Sequence, residues 1–263
     1  MKVNKNKLEK IIENHELWVE SEEQEGCKAD FSEVNLQGAN LSEANLSKAD
    51  LSGLDLSGAN LSEAEFFEVD FQGANLSGAD LTGVNLIGAN LTGANLSDTD
   101  LSWADISKAN LSEANLQGAN LPEADIYGAN LTWADLSRAN LIGANLQGAD
   151  LSGADLIEAN LRVANLIKAN LSEADISEAD LSGTNLLEAN LSQANLYGTY
   201  LIEADLCRAN LYRASLRGAD FFEANLCEAD LRVATAKDCR IEKARFSSPK
   251  EKAKLIAKGA IEE

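Results

Sequence analysis

Apolar residues return at every fifth position along most of the chain. From Phe31 to Phe246 the frame gives 44 positions, of which 34 are Leu, five Phe, four Ile and one Ala (Ala236), and it never slips. Two residues before each such position i stands a small residue at i−2: Ala in 36 cases, otherwise Val34, Leu54, Val69, Val84, Thr99, Thr184, Thr199 or Cys239. A period of five matches neither the 3.6 of a helix nor the 2.0 of a strand, so each unit must join a short extended piece to a corner. If i and i−2 both point inward, the residue between them, nearly always Asn or Asp, points outward as in a strand. Positions i+1 and i+2 then form the corner. Sixteen of the 18 glycines fall at i+2, where a type II turn needs positive φ, and nearby Asn and Ser side chains can bond the backbone of the corner.

Units such as Ala149-Asp150-Leu151-Ser152-Gly153 make the chain resemble the pentapeptide repeat family, whose pattern is A(D/N)LXX. The likeness runs from Ala29 to Ser248, 220 of 263 residues. The resemblance implies an all-β solenoid, a right-handed quadrilateral β-helix with four units per coil. Forty-four units then give about eleven coils stacked roughly 4.8 Å apart, a rod about 50 Å long. Its stability comes from neighbour stacking, at ~1.5–3 kcal/mol per buried Leu or Phe. Phe66 and Phe71 at adjacent inward positions, Leu54 at an i−2 position and Ala236 at an i position mark local repacking, with Leu54 opening its corner.

The expected organisation is an N-terminal helical cap and lead-in over 1–28, the repeat region over 29–248 and a C-terminal helix within 249–263. Open coil ends expose strand edges and Leu side chains, so a solitary rod needs caps. From Lys5 to Val19 the residues Leu8, Ile11, Ile12, Trp18 and Val19 fall largely on one helical face. The lead-in His15, Trp18, Ser21, Gly26, Ala29 and Asp30 is also similar to a segment that precedes the repeats in bacterial members of the family. At the other end Ser248 and Pro249 start a helix running to about Ala260. Its apolar residues Leu255, Ile256 and Ala260 serve either as a cap or as a homodimer contact.

Residues 20 apart stack on one face, which lets the surface be written column by column. Most outward columns are Ser, Gly, Asn and Asp. One i+1 column differs, carrying Phe67, Ile87, Tyr127, Ile167, Leu187, Cys207 and Cys227, and an adjacent face adds Ile142, Ile202 and Phe222. These side chains either sit half-buried along an edge or form an apolar stripe for a partner or a second copy. Trp103 and Trp133, at i+2 corners, either anchor a partner or lie flat on the rod.

Charge narrows the range of partners. Forty-three acids stand against 22 Lys and Arg, a net charge of −21, which opposes direct binding to nucleic acid or to an anionic membrane. The excess is uneven: Ala29–Leu136 holds 17 acids and two bases, net −15, and Ser137–Ala236 holds 14 acids and seven bases, net −7. Asp30, Asp50 and Asp70 share one face, Asp80 and Asp100 another. Such carboxylates either solvate the repeat and bond its corners or present a DNA-like surface to a protein groove built for phosphates.

No catalytic, cofactor or metal site is expected. His15, the one histidine, falls in the predicted cap. Carboxylate pairs recur by repetition, so none is singled out for acid–base work. No phosphate loop, nucleophile elbow or metal-ligand spacing occurs. The four cysteines lack CxxC or Cys/His spacing and read as reduced thiols of a cytoplasmic protein. Cys207 and Cys227 are expected on successive coils. The expected function is a noncatalytic protein–protein interaction or structural scaffold with an unknown protein partner. The alternative, implied by similarity to quinolone-resistance members, is a DNA mimic that binds a type II topoisomerase such as gyrase and inhibits or protects it. Some of those members use loops projecting from the coils, and this repeat has none.

Overall fold

The computed structural model describes residues 5–262. Two helices, α1 (Lys5–Glu20) and α2 (Pro249–Ile256), flank the repeat. Within it, parallel bridges join residues 20 apart, from Asn40↔Asn60 to Asn225↔Arg245. The chain therefore returns above itself after four units, as a quadrilateral β-helix must. Its four faces follow the inward series that begin at Phe31, Leu36, Leu41 and Leu46.

The hydrogen bonding explains why five residues suffice for a side and a corner. The Leu41 amide donates to the Asn60 carbonyl at 2.7 Å, and the Asn60 amide donates back to the Ala39 carbonyl at 2.9 Å. At the corner the Ala44 amide closes a turn onto the Leu41 carbonyl at 3.2 Å, while Glu43 donates to Ser62 on the next coil at 2.9 Å. Residues i and i−2 fill the axis, and Leu61, Phe66, Leu136 and Leu186 are wholly buried. Phe66 and Phe71 meet edge to face with ring centres 5.1 Å apart, the geometry favoured by aromatic quadrupoles.

The corner is less dependent on glycine than the sequence suggests. Positive φ occurs at 42 of the 44 i+2 residues, 16 glycines and 26 others, with Glu33 and Ser248 the exceptions. A left-handed conformation costs an ordinary residue about 1–2 kcal/mol. Position i−1 offsets that cost: its Oδ1 accepts the i+1 amide, as Asn130 does from Thr132 at 3.1 Å. The same side chains link coils, with Asn115 Nδ2 donating to Asn95 Oδ1 at 3.1 Å and Asn95 in turn to Asn75 at 3.0 Å. The Asn/Asp column is thus a ladder as well as a solvated surface.

The first coil departs from the pattern where i−2 is oversized. Around Val34 and Leu54 the rungs between residues 29–36 and 50–55 are missing: the Phe31 and Leu36 amides make no bond to the carbonyls of Asp50 and Asp55. A slot sized for Ala cannot take Leu without separating the strands. Over this coil lies α1, with Leu8 buried and Ile11 and Ile12 packed on the core. The lead-in residues lock it there. His15 Nδ1 accepts the Ala29 amide and Nε2 meets the Ser47 carbonyl, both at 3.0 Å, while the Trp18 ring stacks on the imidazole. Gly26 passes so close that a β-carbon on it would stand 2.2 Å from the Asn14 carbonyl oxygen.

At the far end α2 stops at Ile256, four residues short of the expected Ala260. Gly259 adopts a φ of +97°, and the tail re-enters the ladder, pairing Ile261 with Arg240 in parallel. No described helix is long and apolar enough to cross a membrane.

Candidate interaction surface

The apolar column is a real flank of the rod, in two segments. Bridges Asn165↔Asn185, Asn185↔Asp205 and Asp205↔Asn225 stack Ile167, Leu187, Cys207 and Cys227 on successive coils. All four are half-buried. The Glu65↔Asn85 bridge stacks Phe67 on Ile87 further down, with Phe67 38% exposed. Tyr127, 45% exposed, stands apart between Ser107 and Gln147. On the adjoining face Tyr200↔Asp220 stacks Ile202 on Phe222, whereas Ile142 has Pro122 and Arg162 as column neighbours. The ring of Phe222 is covered by Arg240 and Lys243, each 4.6 Å from its centre. Ile202 and Phe222 occupy the corner that precedes the one holding Leu187 and Cys207, with one side of the coil between them.

The two tryptophans remain open to solvent, Trp103 at 66% and Trp133 at 65%. Trp133 lies along the rod over Gly153, where a β-carbon would come within 2.5 Å of its indole carbons. It therefore packs on one face and presents the other. Tyr197 and Tyr200 are further exposed aromatic residues, outside the predicted columns. Tyr200 could have been found, because it stands at i−1 among Asn and Asp.

The acidic residues are committed to their corners. Asp50 stacks on Asp70, and Asp80 on Asp100, while Asp30 lies on the unpaired part of the first coil. Asp50 Oδ1 accepts both the hydroxyl and the amide of Ser52, at 2.6 and 3.0 Å, and these bonds hold its carboxyl below the ordinary aspartate range. Asp30 is lowered in the same way by Ser32. At Asp100 burial pushes upward, but Ser102 and Asn120 outweigh it and the net direction is down. Asp70 accepts from Gln72 and Asn90, and Asp80 from the Thr82 amide. In each of the five it is Oδ1 that accepts these bonds.

Of the C-terminal trio, Leu255 and Ala260 are buried against the last coil and Ile256 is 42% exposed. The three do not form one outward face, because Ala260 lies in the tail. All four cysteines are free. Burial, then Asp205 and Glu228, push the Cys207 thiol up, and burial pushes Cys239 up to about 12. His15 is buried with both nitrogens bonded, and among the described residues no group of three or more His, Cys, Asp and Glu is placed to hold a metal.

The family model for pentapeptide repeats matches in eight overlapping copies between residues 29 and 248. No curated protein sequence is significantly similar to the chain. Among solved structures, HetL from Nostoc sp. PCC 7120, described as involved in heterocyst differentiation regulation, shares 36% identity over 81% of this chain and 91% of its own, with a TM-score of 0.48. The Nostoc protein alr5209 shares 38% identity over 40% of this chain and 84% of its own, TM-score 0.36. Full-length QnrB1, a plasmid-mediated fluoroquinolone resistance protein, shares 19% over 81% and 98%, TM-score 0.31.

Proposed function

The chain belongs to the pentapeptide repeat family, and from the surface its coils present we infer that it is a noncatalytic scaffold for protein–protein interaction. In this reading the working part is residues 29–248, a right-handed rod of eleven coils about 50 Å long on strand spacing, with 1–28 and 249–263 as caps. The observation that carries the reading is the continuous apolar stack Ile167–Leu187–Cys207–Cys227 beside Ile202 and Phe222. A rigid ladder holds these side chains in place before a partner arrives, so little entropy is lost on docking. Arg and aromatic neighbours at its end, Arg240 over Phe222, have the chemistry of binding hot spots. Trp103 and Trp133, on opposite corners of the rod, each add a separate exposed aromatic side chain. A homodimer through α2 would rest on Ile256.

Quantitative comparison of proteins co-purifying with the full chain and with Ile167→Glu/Leu187→Glu tests this. A partner lost at least tenfold with the variant, yet retained by Glu173→Lys on another face, is the expected result. Equal recovery with both variants contradicts it.

The second reading is a DNA mimic that binds a type II topoisomerase. The net charge of −15 over Ala29–Leu136 favours it, as does the second carboxylate oxygen of each stacked Asp, which takes no part in the corner bonds. The corner hydrogen bonds and the interleaved Asn weigh the other way. A gyrase supercoiling assay with and without ciprofloxacin separates the two: unchanged supercoiling is expected of the scaffold, and inhibition or protection of the enzyme supports the mimic.

A further inference from the structure

The last coil is closed unevenly. Along two of its faces the tail supplies a further rung: the Asp238 amide donates to the Gly259 carbonyl and the Ile241 amide to that of Ile261, both at 2.9 Å. Residues 229–233, on the face that begins at Phe31, receive none. One coil earlier Leu211 and Arg213 donate to the carbonyls of Asp230 and Arg232. By the same register Leu231 and Val233 would donate to residues 250 and 252, but Pro249 starts α2 and draws both into the helix. Among the described residues neither amide has an acceptor.

Between this edge and α2 lies a cleft of about 440 Å³. Its floor is apolar, from half-buried Leu231 and buried Leu255. Arg232, Lys254 and Lys258 stand around it. Two acids also line it: Asp230, whose oxygens are both held by Arg232 at 2.8 and 2.7 Å, and Glu251. The Lys258 ammonium donates to the Leu231 carbonyl at 3.1 Å. The wider setting has the same sign. Residues 207–262 carry 12 bases and eight acids, net +4, whereas 29–206 carry 27 acids and five bases, net −22.

We propose that this cleft binds an extended acidic segment of a partner protein, which adds to the 229–233 edge as one more rung. The segment's carbonyls accept the Leu231 and Val233 amides, as in strand addition to an open sheet edge. Alternation sends its apolar side chains onto Leu231 and Leu255. Its carboxylates between them meet Arg232, Lys254 and Lys258. The chain's own tail already docks in this manner on the neighbouring faces. The site is at the end of the rod, where the edge begins two residues after Cys227, the last residue of the apolar flank.

The test uses the full chain and two fluorescein-labelled, end-blocked ten-residue peptides, one alternating Asp with Val and one alternating Lys with Val. By fluorescence anisotropy the Asp peptide should bind at least tenfold tighter than the Lys peptide. Lys254→Glu/Lys258→Glu should weaken it at least tenfold. In the wild-type chain the Asp peptide should slow hydrogen exchange at Leu231 and Val233, a readout that holds even if the double variant folds poorly. Equal binding of both peptides, no binding, or protection elsewhere overturns the proposal. So does protection of these two amides by protein concentration alone, which would assign the cleft to a second copy.

Discussion

Val163 and Val233 occupy left-handed corners with φ of 53° and 59°, a conformation that a β-branched residue resists. Val163 is mostly exposed, so glycine there removes strain and little packing. Setting about 1–2 kcal/mol of left-handed penalty against glycine's greater loss of freedom, roughly 0.5–1 kcal/mol, Val163→Gly should stabilise by about 1 kcal/mol or less, read as a higher melting temperature. Gly153→Ala should do the opposite, because the new methyl meets the Trp133 ring; unchanged melting in both would contradict the corner assignment. His15 gives a pH signature. Since Nδ1 accepts the Ala29 amide, the ring is neutral with its proton on Nε2, donated to the Ser47 carbonyl. Burial, with Lys28 adding to it, lowers its pKa below 6.5 against the opposing pull of the Ser47 bond and Glu16. Below that value the unfolded chain binds a proton more readily than the folded one, so this contribution is full at pH 7 and declines as pH falls through about 6.5. Melting of wild type between pH 7 and 5 should fall by more than that of His15→Gln. Equal slopes would remove His15 as the cause.

The inward residues hold each coil to the next. Leu136 is fully buried in mid-rod, and Leu136→Ala should cost about 2–5 kcal/mol, checked by denaturant unfolding. Inward and outward sides were legible in the sequence because the period of five admits one alternation, and Leu136 and Asp135 fall on the sides it assigns. The form of the departure at Leu54 was not legible: the residue was expected to open its corner, yet the Leu54 amide closes the turn onto the Leu51 carbonyl at 3.3 Å, and it is the rungs to the first coil that are missing. Leu54→Ala should restore rungs there, seen as slower hydrogen exchange at Phe31 and Leu36; exchange that stays fast would place the cause elsewhere. The tail was not legible. Ala260 continues an apolar pattern that suits a helix, and only the exposed edge at Cys239 and Ile241, a tertiary feature, draws Gly259–Ile261 into the ladder. The tolerance of corners for Glu, Lys and Trp was hidden as well, since propensity alone favours glycine and does not register the ladder that holds the turn.

For the whole molecule, stacking turns a one-dimensional pattern into continuous surfaces, and the columns could be read from the sequence. Their depth could not. Ile167 and Leu187 are half-buried while Phe67 and Tyr127 are more exposed, although all four occupy the same column. The claim that this flank is where a protein partner sits is tested most directly by photocrosslinking. A benzoylphenylalanine at Leu187 in the full chain, illuminated in the source cells, should join the rod to one discrete partner, and the same group at Glu173 should not. Crosslinks of equal yield at both positions, or none at Leu187 with a discrete product at Glu173, would contradict the account.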